Sequence, residues 1–241
     1  MDDFSHDIAD NSILRRNFKI EVVSATRLSE HDFWEKSPLG LSLCSFGHDP
    51  CMVSRISFEN KRGLSEVYNE SIQAPDEHDI LLFVHDDIWL HDYFLADRLF
   101  DSLQDFDIVG LAGSRRKLAH QVTWFSSGDN FIPDLQYLSG VVGHGQGIFD
   151  GAKYFGPVPA ECELLDGAFL AAKKKTLFDK RVFFDPQFDF HFYDMDFCRT
   201  ARLKHLTLGT SRISVTHQSI GNFDSLGWRY NCRLYLDKWK I

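Results

Sequence analysis

The 241-residue sequence predicts an α/β fold with a mostly parallel central sheet flanked by helices. Three observations predict it. Apolar, β-branched runs alternate with helical patterns up to residue 112. The run 81–84 is wholly apolar, as expected of a strand buried on both faces of a parallel sheet. Beyond residue 113, glycine pairs and isolated strands replace the alternation, which predicts a smaller β element and then a closing C-terminal helix.

The first half is predicted element by element from its patterning. Strands come from apolar runs such as FKIEVVSA, and helices from apolar residues at helical spacing, as in Leu64, Val67 and Ile72. The first helix starts at an N-cap serine and is expected to end before Pro38 and Gly40. In chain order the predicted elements are strand 18–25, helix 29–36, strand 53–58, helix 63–74, strand 79–84, helix 92–103 and strand 107–112.

The second half has shorter predicted elements. They are strands at 122–125 and 137–142, an apolar stretch at 164–172 around Asp166-Gly167, a helix at 193–204, a strand at 213–215 and a helix at 224–239. Because no repeat, low-complexity tract or long linker divides the sequence, we predict a single domain at 18–241 after a loose polar lead-in at 1–17.

Composition narrows the choice of partners. The formal net charge of −9 argues against a nucleic-acid partner, because phosphate binding needs a basic surface. The basic clusters 115–117 and 173–175 are interpreted as solvated turns or helix ends, with contact to anionic phosphate or a lipid surface as the alternative.

Cysteine content and hydropathy bear on location. Five cysteines, an odd number without a Cys-x-x-Cys pair, favour reduced thiols in a cytoplasmic protein. The N-terminus has no hydrophobic signal core, and no run of about 18 apolar residues predicts a membrane span. We therefore expect a cytoplasmic location, with peripheral contact at the inner face of the membrane as an open alternative.

The strongest candidate for chemistry is His85-Asp86-Asp87, directly after the strand 79–84. Carboxylates at the carboxyl end of such a strand face the crevice where open α/β sheets bind ligands. Adjacent acids repel each other unless a cation lies between them, and Mg²⁺ or Mn²⁺ with a phosphate-bearing substrate would serve. His85 could ligate a borderline metal such as Mn²⁺ or hydrogen-bond a neighbour. The alternative is a strand-end turn with exposed acids.

Two acids, Asp194 and Asp196, are the candidates for a general base. They lie at the start of the predicted helix 193–204, among Phe192, Tyr193 and Met195. Apolar neighbours desolvate a carboxylate and raise its pKa, as is required of a base that takes a proton from a hydroxyl. The alternative is that an acid simply favours the first helical turn through the helix dipole.

Two further segments carry weaker signals. His217 follows a short apolar strand and is either a ligand or, as most lone histidines are, a structural residue. Around Gly63, a strand end, a glycine and a helix start could present backbone N–H groups to an anion, or form an ordinary helix N-terminus. The sequence has neither a P-loop nor a dinucleotide-binding fingerprint.

Taken in order, these segments resemble a known family. They are Asn-x-x-Gly-Leu-Ser-x-x-Tyr-Asn at 60–69, Phe-Val-His-Asp-Asp at 83–87, Asp-Gly-Ala-Phe at 166–169, Phe-Tyr-Asp-Met-Asp at 192–196 and His-x-Ser-x-Gly at 217–221. Their order and spacing look like a GT-A glycosyltransferase, of the family 2-like branch that includes the StrF-type domain of streptomycin biosynthesis. The resemblance covers roughly residues 18–225.

The resemblance implies a Rossmann-like GT-A fold, with a nucleotide-binding half at about 18–112 and an acceptor-binding half at about 113–241. It implies sugar transfer from a nucleotide-diphosphate-sugar donor, by default a UDP-sugar, to an acceptor hydroxyl. The reaction would invert the anomeric centre and need Mn²⁺ or Mg²⁺. The acceptor would be a saccharide or a lipid-linked glycan, in surface polysaccharide or glycan biosynthesis.

The resemblance also assigns residue roles. Asp194 matches the catalytic base, although the glutamate that precedes it in the family is Tyr193 here. The metal ligands would be Asp87, which matches the last acid of the family's Asp-x-Asp motif, His217, and His85, which replaces the first acid. The donor-binding positions would be Ala25, Thr26, Arg27, Asn60, Gly63, Leu64, Asp86, Asp166 and Gly167.

Two other functions are compatible with the sequence. A nucleotidyltransferase also uses paired acids and a divalent metal, but it needs a basic phosphate clamp, for which only Lys61-Arg62 is a candidate. A non-catalytic sugar-nucleotide-binding module would explain the histidine at position 85, but not the retention of Asp87, Asp194 and His217 together.

Overall fold

The structure is a computed structural model that describes residues 18–47, 49–75, 77–126, 131–219, 221 and 223–240. In these residues the chain forms two mixed sheets and seven α-helices. The α/β class predicted from the sequence is therefore confirmed. The lead-in predicted at 1–17 lies outside the described residues.

The larger sheet is built around β1 (Ile20–Ala25) and β3 (Ile80–Val84), which pair in parallel. Every residue of β3 is buried, as predicted for this apolar run. Across the sheet the spatial order is β2 (Met52–Ser57), β1, β3, β11 (Phe169–Lys173), β5 (Ile108–Gly110), β12 (Leu208–Thr210) and β9 (Glu161–Cys162).

The second sheet supplies the smaller β element predicted for the latter half of the chain. It begins at β4, which follows β3 after a turn of three residues, 85–87. Its order is β10 (Leu164–Leu165), β6 (Ala112–Ser114), β7 (Leu138–His144), β13 (Val215–His217) and β4 (Ile88–Leu90), with β8 (Ala152–Gly156) paired to β7.

A helix missing from the prediction starts at Pro38. Ser37 ends the preceding helix and also caps the next one, since its Oγ accepts a hydrogen bond from Gly40 N at 2.9 Å. Pro38 is tolerated in the first helical turn, where no N–H partner is needed. The helices are α1 (Glu30–Lys36), α2 (Pro38–Ser45), α3 (Leu64–Gln73), α4 (Leu95–Asp105), α5 (Lys174–Lys180), α6 (Tyr193–Leu203) and α7 (Leu226–Trp239).

The central sheet is mixed, not mostly parallel as predicted. Strand β11 runs antiparallel to both β3 and β5, with Phe169 paired to Val84. Fully buried strands have the same apolar composition in either orientation, so the sequence does not reveal the reversal. As a consequence the start of β11 lies beside the end of β3, where His85 N donates a hydrogen bond to Ala168 O at 3.0 Å.

Three local predictions are wrong. Residues 122–125 form a loop, because Gln121 Nε2 and Thr123 Oγ1 bond to nearby backbone groups in place of a strand ladder. The strand predicted at 213–215 lies instead at Val215–His217, so His217 is the last residue of β13. The single strand predicted at 107–112 is replaced by β5 in the larger sheet and β6 in the second sheet. The short elements β4, β8, β9, β12 and α5 were not predicted, since they are too brief for periodicity to show.

Each of the two basic clusters contains a lysine that is paired with an acid. Lys117 pairs with Glu163 at 3.2 Å and Lys175 with Asp179 at 2.6 Å, which favours the solvated-turn interpretation of the basic clusters. All five cysteines are free thiols. Within the described ranges, no helix combines the length and the apolar character needed to cross a bilayer.

Helix α7 is tied to α6 by a buried ion pair. The carboxylate of Asp196 on α6 is fully buried and accepts hydrogen bonds from Lys238 Nζ and Trp239 Nε1, each at 2.9 Å. Tyr235 of α7 packs against Phe192, the residue directly before α6, with 5.1 Å between ring centroids. Helix α7 therefore holds the first turn of α6 in place.

Candidate active site

Four segments of the chain meet in a cleft of about 310 Å³. They are the turn between β3 and β4, the residues before β11, the first turn of α6 and the end of β13. The antiparallel pairings of β11 with β3 and of β13 with β4 bring them together. The titratable residues that line the cleft are His85, Asp86, Asp87, Asp166, His191, Tyr193, Asp194 and His217.

His85, Asp87 and His217 form a cluster that can hold a cation, since their ligand atoms all lie within 4.8 Å of one another. His217 Nε2 is 3.2 Å, and His85 Nδ1 4.0 Å, from Asp87 Oδ1. This oxygen is buried and accepts no well-aligned hydrogen bond. Two ring nitrogens converging on an unsatisfied carboxylate oxygen fit a divalent cation with borderline ligand preference.

Asp87 is ionised in this cluster, and a cation would compete there with a proton on His217. Burial opposes ionisation of Asp87, but close contact with His217 and its charge, followed by the charge of His85, lower the pKa of Asp87 to about 2. Burial also opposes protonation of His217, yet contact with Asp87 raises the pKa of His217. Burial lowers the pKa of His85, so this imidazole stays neutral and keeps a lone pair for a metal.

Tyr193 orients His85. Its hydroxyl donates a hydrogen bond to Gly167 O at 2.8 Å and lies 2.7 Å from His85 Nε2. Because the only hydroxyl proton is used on Gly167, His85 donates through Nε2–H, which leaves the Nδ1 lone pair on the side of Asp87. No side chain fits at position 167, since a Cβ there would lie 2.6 Å from the tyrosine oxygen. Thus His85 and Tyr193, which both differ from the pattern of the family that the sequence resembles, bond to each other.

Tyr193→Phe is expected to weaken Mn²⁺ binding about tenfold, because His85 loses the partner that fixes its tautomer and ring orientation. Calorimetric titration of Mn²⁺ into both proteins measures the change. Tyr230→Phe removes an exposed hydroxyl on α7 and should bind Mn²⁺ like the wild type. Equal affinity in all three proteins would mean that Tyr193 does not support the cation cluster.

A pair of carboxylates, Asp166 and Asp194, forms another wall of the cleft. Asp194 accepts a hydrogen bond from Gly167 N at 3.0 Å, and Asp166 accepts from Ala168 N at 2.9 Å and from Trp124 Nε1 at 2.6 Å. Burial, followed by the negative charge of Asp166, raises the pKa of Asp194 to about 7. A carboxylate with this pKa can take up a proton near neutral pH.

The backbone at Phe192 sets the direction of Tyr193 and Asp194. Phe192 has φ 66° and ψ −1°, in the left-handed region. For a residue other than glycine this conformation costs on the order of 1–3 kcal/mol and needs support from its surroundings. The support comes from α7, whose Trp228 and Tyr235 pack on the Phe192 ring at centroid distances of 5.2 and 5.1 Å.

A more polar cavity of about 640 Å³ adjoins the cleft through shared residues that include Ala25, Leu64 and Asp87. It lies along the ends of β1, β2 and β3 and the start of α3, where the sequence predicts donor binding. Every residue predicted for the site lines the cleft or this donor-side cavity: Ala25, Thr26, Arg27, Asn60, Gly63, Leu64, His85, Asp86, Asp87, Asp166, Gly167, Asp194 and His217. The functional roles of these residues stay predictions.

Hydrogen bonds fix the floor of the donor-side cavity. Thr26 Oγ1 donates to Asp86 Oδ2 at 2.6 Å and so joins the end of β1 to the end of β3. Gly63 precedes α3, and a Cβ on it would lie 2.8 Å from Asp189 Cα, so glycine permits this close approach. Leu64 N donates to Asp189 O at 2.7 Å, which locks the start of the helix.

The charges around this cavity weaken the nucleotidyltransferase alternative. Asn60 forms a turn with Arg62, whose N donates to Asn60 Oδ1 at 3.2 Å. Arg62 is itself bonded through both terminal nitrogens to Glu70 on α3. Lys36, also on this wall, is paired with Asp32 at 2.7 Å. Arg27 and Lys61, for which no ion pair is found among the described residues, are then the remaining cations on the cavity wall. Two flexible, exposed side chains fall short of the basic clamp that nucleotidyl transfer needs.

Sequence reasoning missed three contributions to the site. Ser37 and Pro38 line the donor-side cavity because α2, an unpredicted helix, begins there. Trp124 holds Asp166 from a loop that was predicted as a strand. The bond between His85 and Tyr193 was also missed, although both depart from the family pattern, and two coincident departures are the signal that would indicate such a pair.

Comparisons with known proteins do not show a family. No family model matches the sequence, and no curated protein matches it. Among solved structures the chain is similar to A197 from STIV, with a TM-score of 0.43 and 13% sequence identity, over 84% of this chain and 83% of that chain. At this level of similarity, function has to be argued from the site.

Proposed function

We propose that the protein is a metal-dependent glycosyltransferase of the GT-A type, which moves a sugar from a nucleotide-diphosphate-sugar donor to an acceptor hydroxyl with inversion. One observation carries the proposal: a cluster that can hold a cation lies where a donor-sized cavity joins a cleft that contains a carboxylate with a raised pKa. Displacement at an anomeric carbon needs these parts close together, namely a site for the leaving diphosphate and a base for the attacking hydroxyl.

His85, Asp87 and His217 would hold the cation, as their converging ligand atoms and the unsatisfied Asp87 oxygen indicate. When bound, Mn²⁺ or Mg²⁺ supplies positive charge against the diphosphate leaving group. Two imidazole nitrogens in the ligand set favour Mn²⁺, because Mg²⁺ prefers oxygen ligands.

The donor would lie along the cavity formed by the ends of β1 to β3. Thr26 and Arg27 follow β1 at the rim, where they would hold the base of the nucleotide, by default uracil. Asp86, fixed by its hydrogen bond with Thr26, would meet the ribose or the sugar. Asp166 and Gly167 would contact the transferred sugar from the cleft side.

Asp194 would deprotonate the acceptor hydroxyl. Each of its oxygens keeps a lone pair after accepting one backbone hydrogen bond, from Gly167 N or Met195 N. The oxygen of the acceptor then bonds to the anomeric carbon as the bond from that carbon to the diphosphate breaks, and the proton stays on Asp194. Attack from the face opposite the leaving group inverts the anomeric centre.

The rate of transfer is expected to rise with pH through about 7, as Asp194 loses its proton. Asp166→Asn removes a negative charge that raises the pKa of Asp194, so the rising limb should move to lower pH. The measurement is kcat from about pH 5 to about pH 9. Asp101→Asn, an exposed change on α4, should leave the limb in place. An unmoved limb in Asp166→Asn would show that Asp166 does not set the basicity of Asp194.

A thermal-shift screen of nucleotide sugars, with Mn²⁺ or with EDTA, tests the proposed function. A true donor at about 100 times its Kd should add about 2.7 kcal/mol of stability. We expect this stabilisation only when Mn²⁺ is present, followed by detection of the free nucleoside diphosphate once an acceptor is supplied. The proposal fails if no nucleotide sugar stabilises the protein, or if the stabilisation is the same in EDTA.

A further inference from the structure

A third cavity, of about 580 Å³, opens beside the reaction cleft. None of its described lining residues belongs to the donor-side cavity, and six of them are shared with the cleft: Trp124, Asp166, Ala168, His217, Gly221 and Phe223. A molecule whose hydroxyl reaches the Asp166 and Asp194 pair could therefore place the rest of its body here without meeting the donor nucleotide.

The walls of this cavity are aromatic. Trp124 contacts Phe125 and Phe155 edge-on, at centroid distances of 5.5 and 5.2 Å, and Phe223 contacts Phe125 at 5.2 Å. Phe131 packs against Phe223 at 5.9 Å. Interlocked rings of this kind present flat apolar faces and edges, which suit another planar ring. The larger aliphatic side chains of the lining are Ile88, Leu111 and Val142.

Few groups on these walls could hydrogen-bond a saccharide. Among the described residues, the charged or ionisable side chains of the lining are His144, Lys153, Asp166 and His217, and two of these belong to the reaction cleft. A saccharide has a hydroxyl on most of its carbons, and each hydroxyl buried without a partner costs about 1–3 kcal/mol. An apolar ring with a single reacting hydroxyl avoids that cost.

Trp124 links this cavity to the carboxylates of the reaction cleft. Its indole forms part of the apolar wall, and its Nε1 donates the 2.6 Å hydrogen bond that holds Asp166. A ring stacked on this wall would bring an attached hydroxyl to the carboxylate pair. The volume of the cavity falls within the range of pockets for drug-sized molecules, about 300–1,000 Å³. A cavity of this size is small for a long lipid chain.

We propose that this cavity binds the aromatic body of the acceptor, and that the acceptor is a phenol or an aryl alcohol in place of the saccharide or lipid-linked glycan expected from the sequence. This inference rests on the proposed function and specifies its acceptor. The phenolic oxygen bonds to the anomeric carbon, its proton passes to Asp194, and the nucleoside diphosphate leaves with the electrons of the broken bond.

A binding experiment with 4-methylumbelliferone, a planar fluorescent phenol, tests the site without donor and in EDTA. Val142 lines this cavity, whereas Val141, its neighbour on β7, points to the other face of the sheet and lines a different cavity. Val142→Phe should fill the site and raise the Kd of the probe about tenfold or more, while Val141→Phe should leave the Kd within about twofold. Melting temperatures of both variants confirm that they are folded.

Two results would overturn the inference. One is a wild-type protein that does not bind the probe, and the other is a folded Val142→Phe variant that binds it as tightly as the wild type. The outcomes separate the two proposals. If the probe binds in a way that depends on Val142 but no nucleotide sugar stabilises the protein, the proposed function is wrong and the cavity is still a site for aromatic molecules. A positive screen without probe binding removes only the aryl acceptor.

Discussion

Replacing Asp194 by asparagine is expected to lower the rate of sugar transfer by about 100-fold to 10,000-fold, the usual contribution of a general base, while donor binding stays close to that of the wild type. Asparagine keeps the shape of the side chain but cannot accept the proton of the acceptor hydroxyl. The contacts proposed for the nucleotide of the donor, around Thr26 and Asp86, lie on other segments. Single-turnover transfer assays and the Mn²⁺-dependent thermal shift measure the two effects separately.

A structural role for Asp194 would give a different pattern. One of its oxygens accepts from Gly167 N, and an asparagine amide cannot satisfy both of the backbone donors that the carboxylate satisfies. If the variant loses activity only because the fold is damaged, its melting temperature and its donor binding should fall together. Retained transfer in a folded variant would exclude Asp194 as the base.

Asp87→Asn should have the second large effect, on donor binding instead of on the chemical step. At a donor concentration near 100 times Kd, the wild type gains about 2.7 kcal/mol from the bound ligand, and most of this gain should disappear in the variant. The reason is that Asp87 supplies the only negative charge in the cation cluster, between two imidazoles. Thermal shift with and without Mn²⁺ measures the loss.

Asp101→Asn, which changes an exposed acid on α4, is the matched control and should keep the full Mn²⁺-dependent shift. A binding module without catalysis would also lose donor binding in Asp87→Asn, but its Asp194→Asn variant would behave like the wild type in every assay. A full Mn²⁺-dependent shift in Asp87→Asn would remove the cluster from the mechanism.

The fold could be predicted where a segment is apolar along its whole length or where its apolar residues repeat along one face. Strand β3 is apolar at every position, and α3 places Leu64, Val67 and Ile72 on its buried face. The orientation of β11 could not be predicted, because a fully buried strand has the same apolar composition whether it runs parallel or antiparallel to its neighbours. Helix α2 was missed because Pro38, which usually interrupts a helix, here occupies its first turn.

The residues predicted for the site line two adjoining cavities, although the orientation of β11 beside them was not predicted. The acids of the site follow apolar strands or open a helix, and such positions face ligand crevices whatever the orientation of the neighbouring strands. Sequence order alone did not show that Tyr193 orients His85 or that Trp124 holds Asp166, since these hydrogen bonds join residues 108 and 42 positions apart. Contacts over such separations depend on the tertiary fold.

The left-handed backbone at Phe192 makes the reacting carboxylate depend on a distant helix. The conformation is held by Trp228 and Tyr235, so it persists only while α7 stays docked. A helix on the outside of a fold can detach in a local opening that leaves the sheets intact. On warming, the proposed activity would then be lost before the sheets melt, and tighter docking of α7 would widen the temperature range of that activity without any change in the cleft.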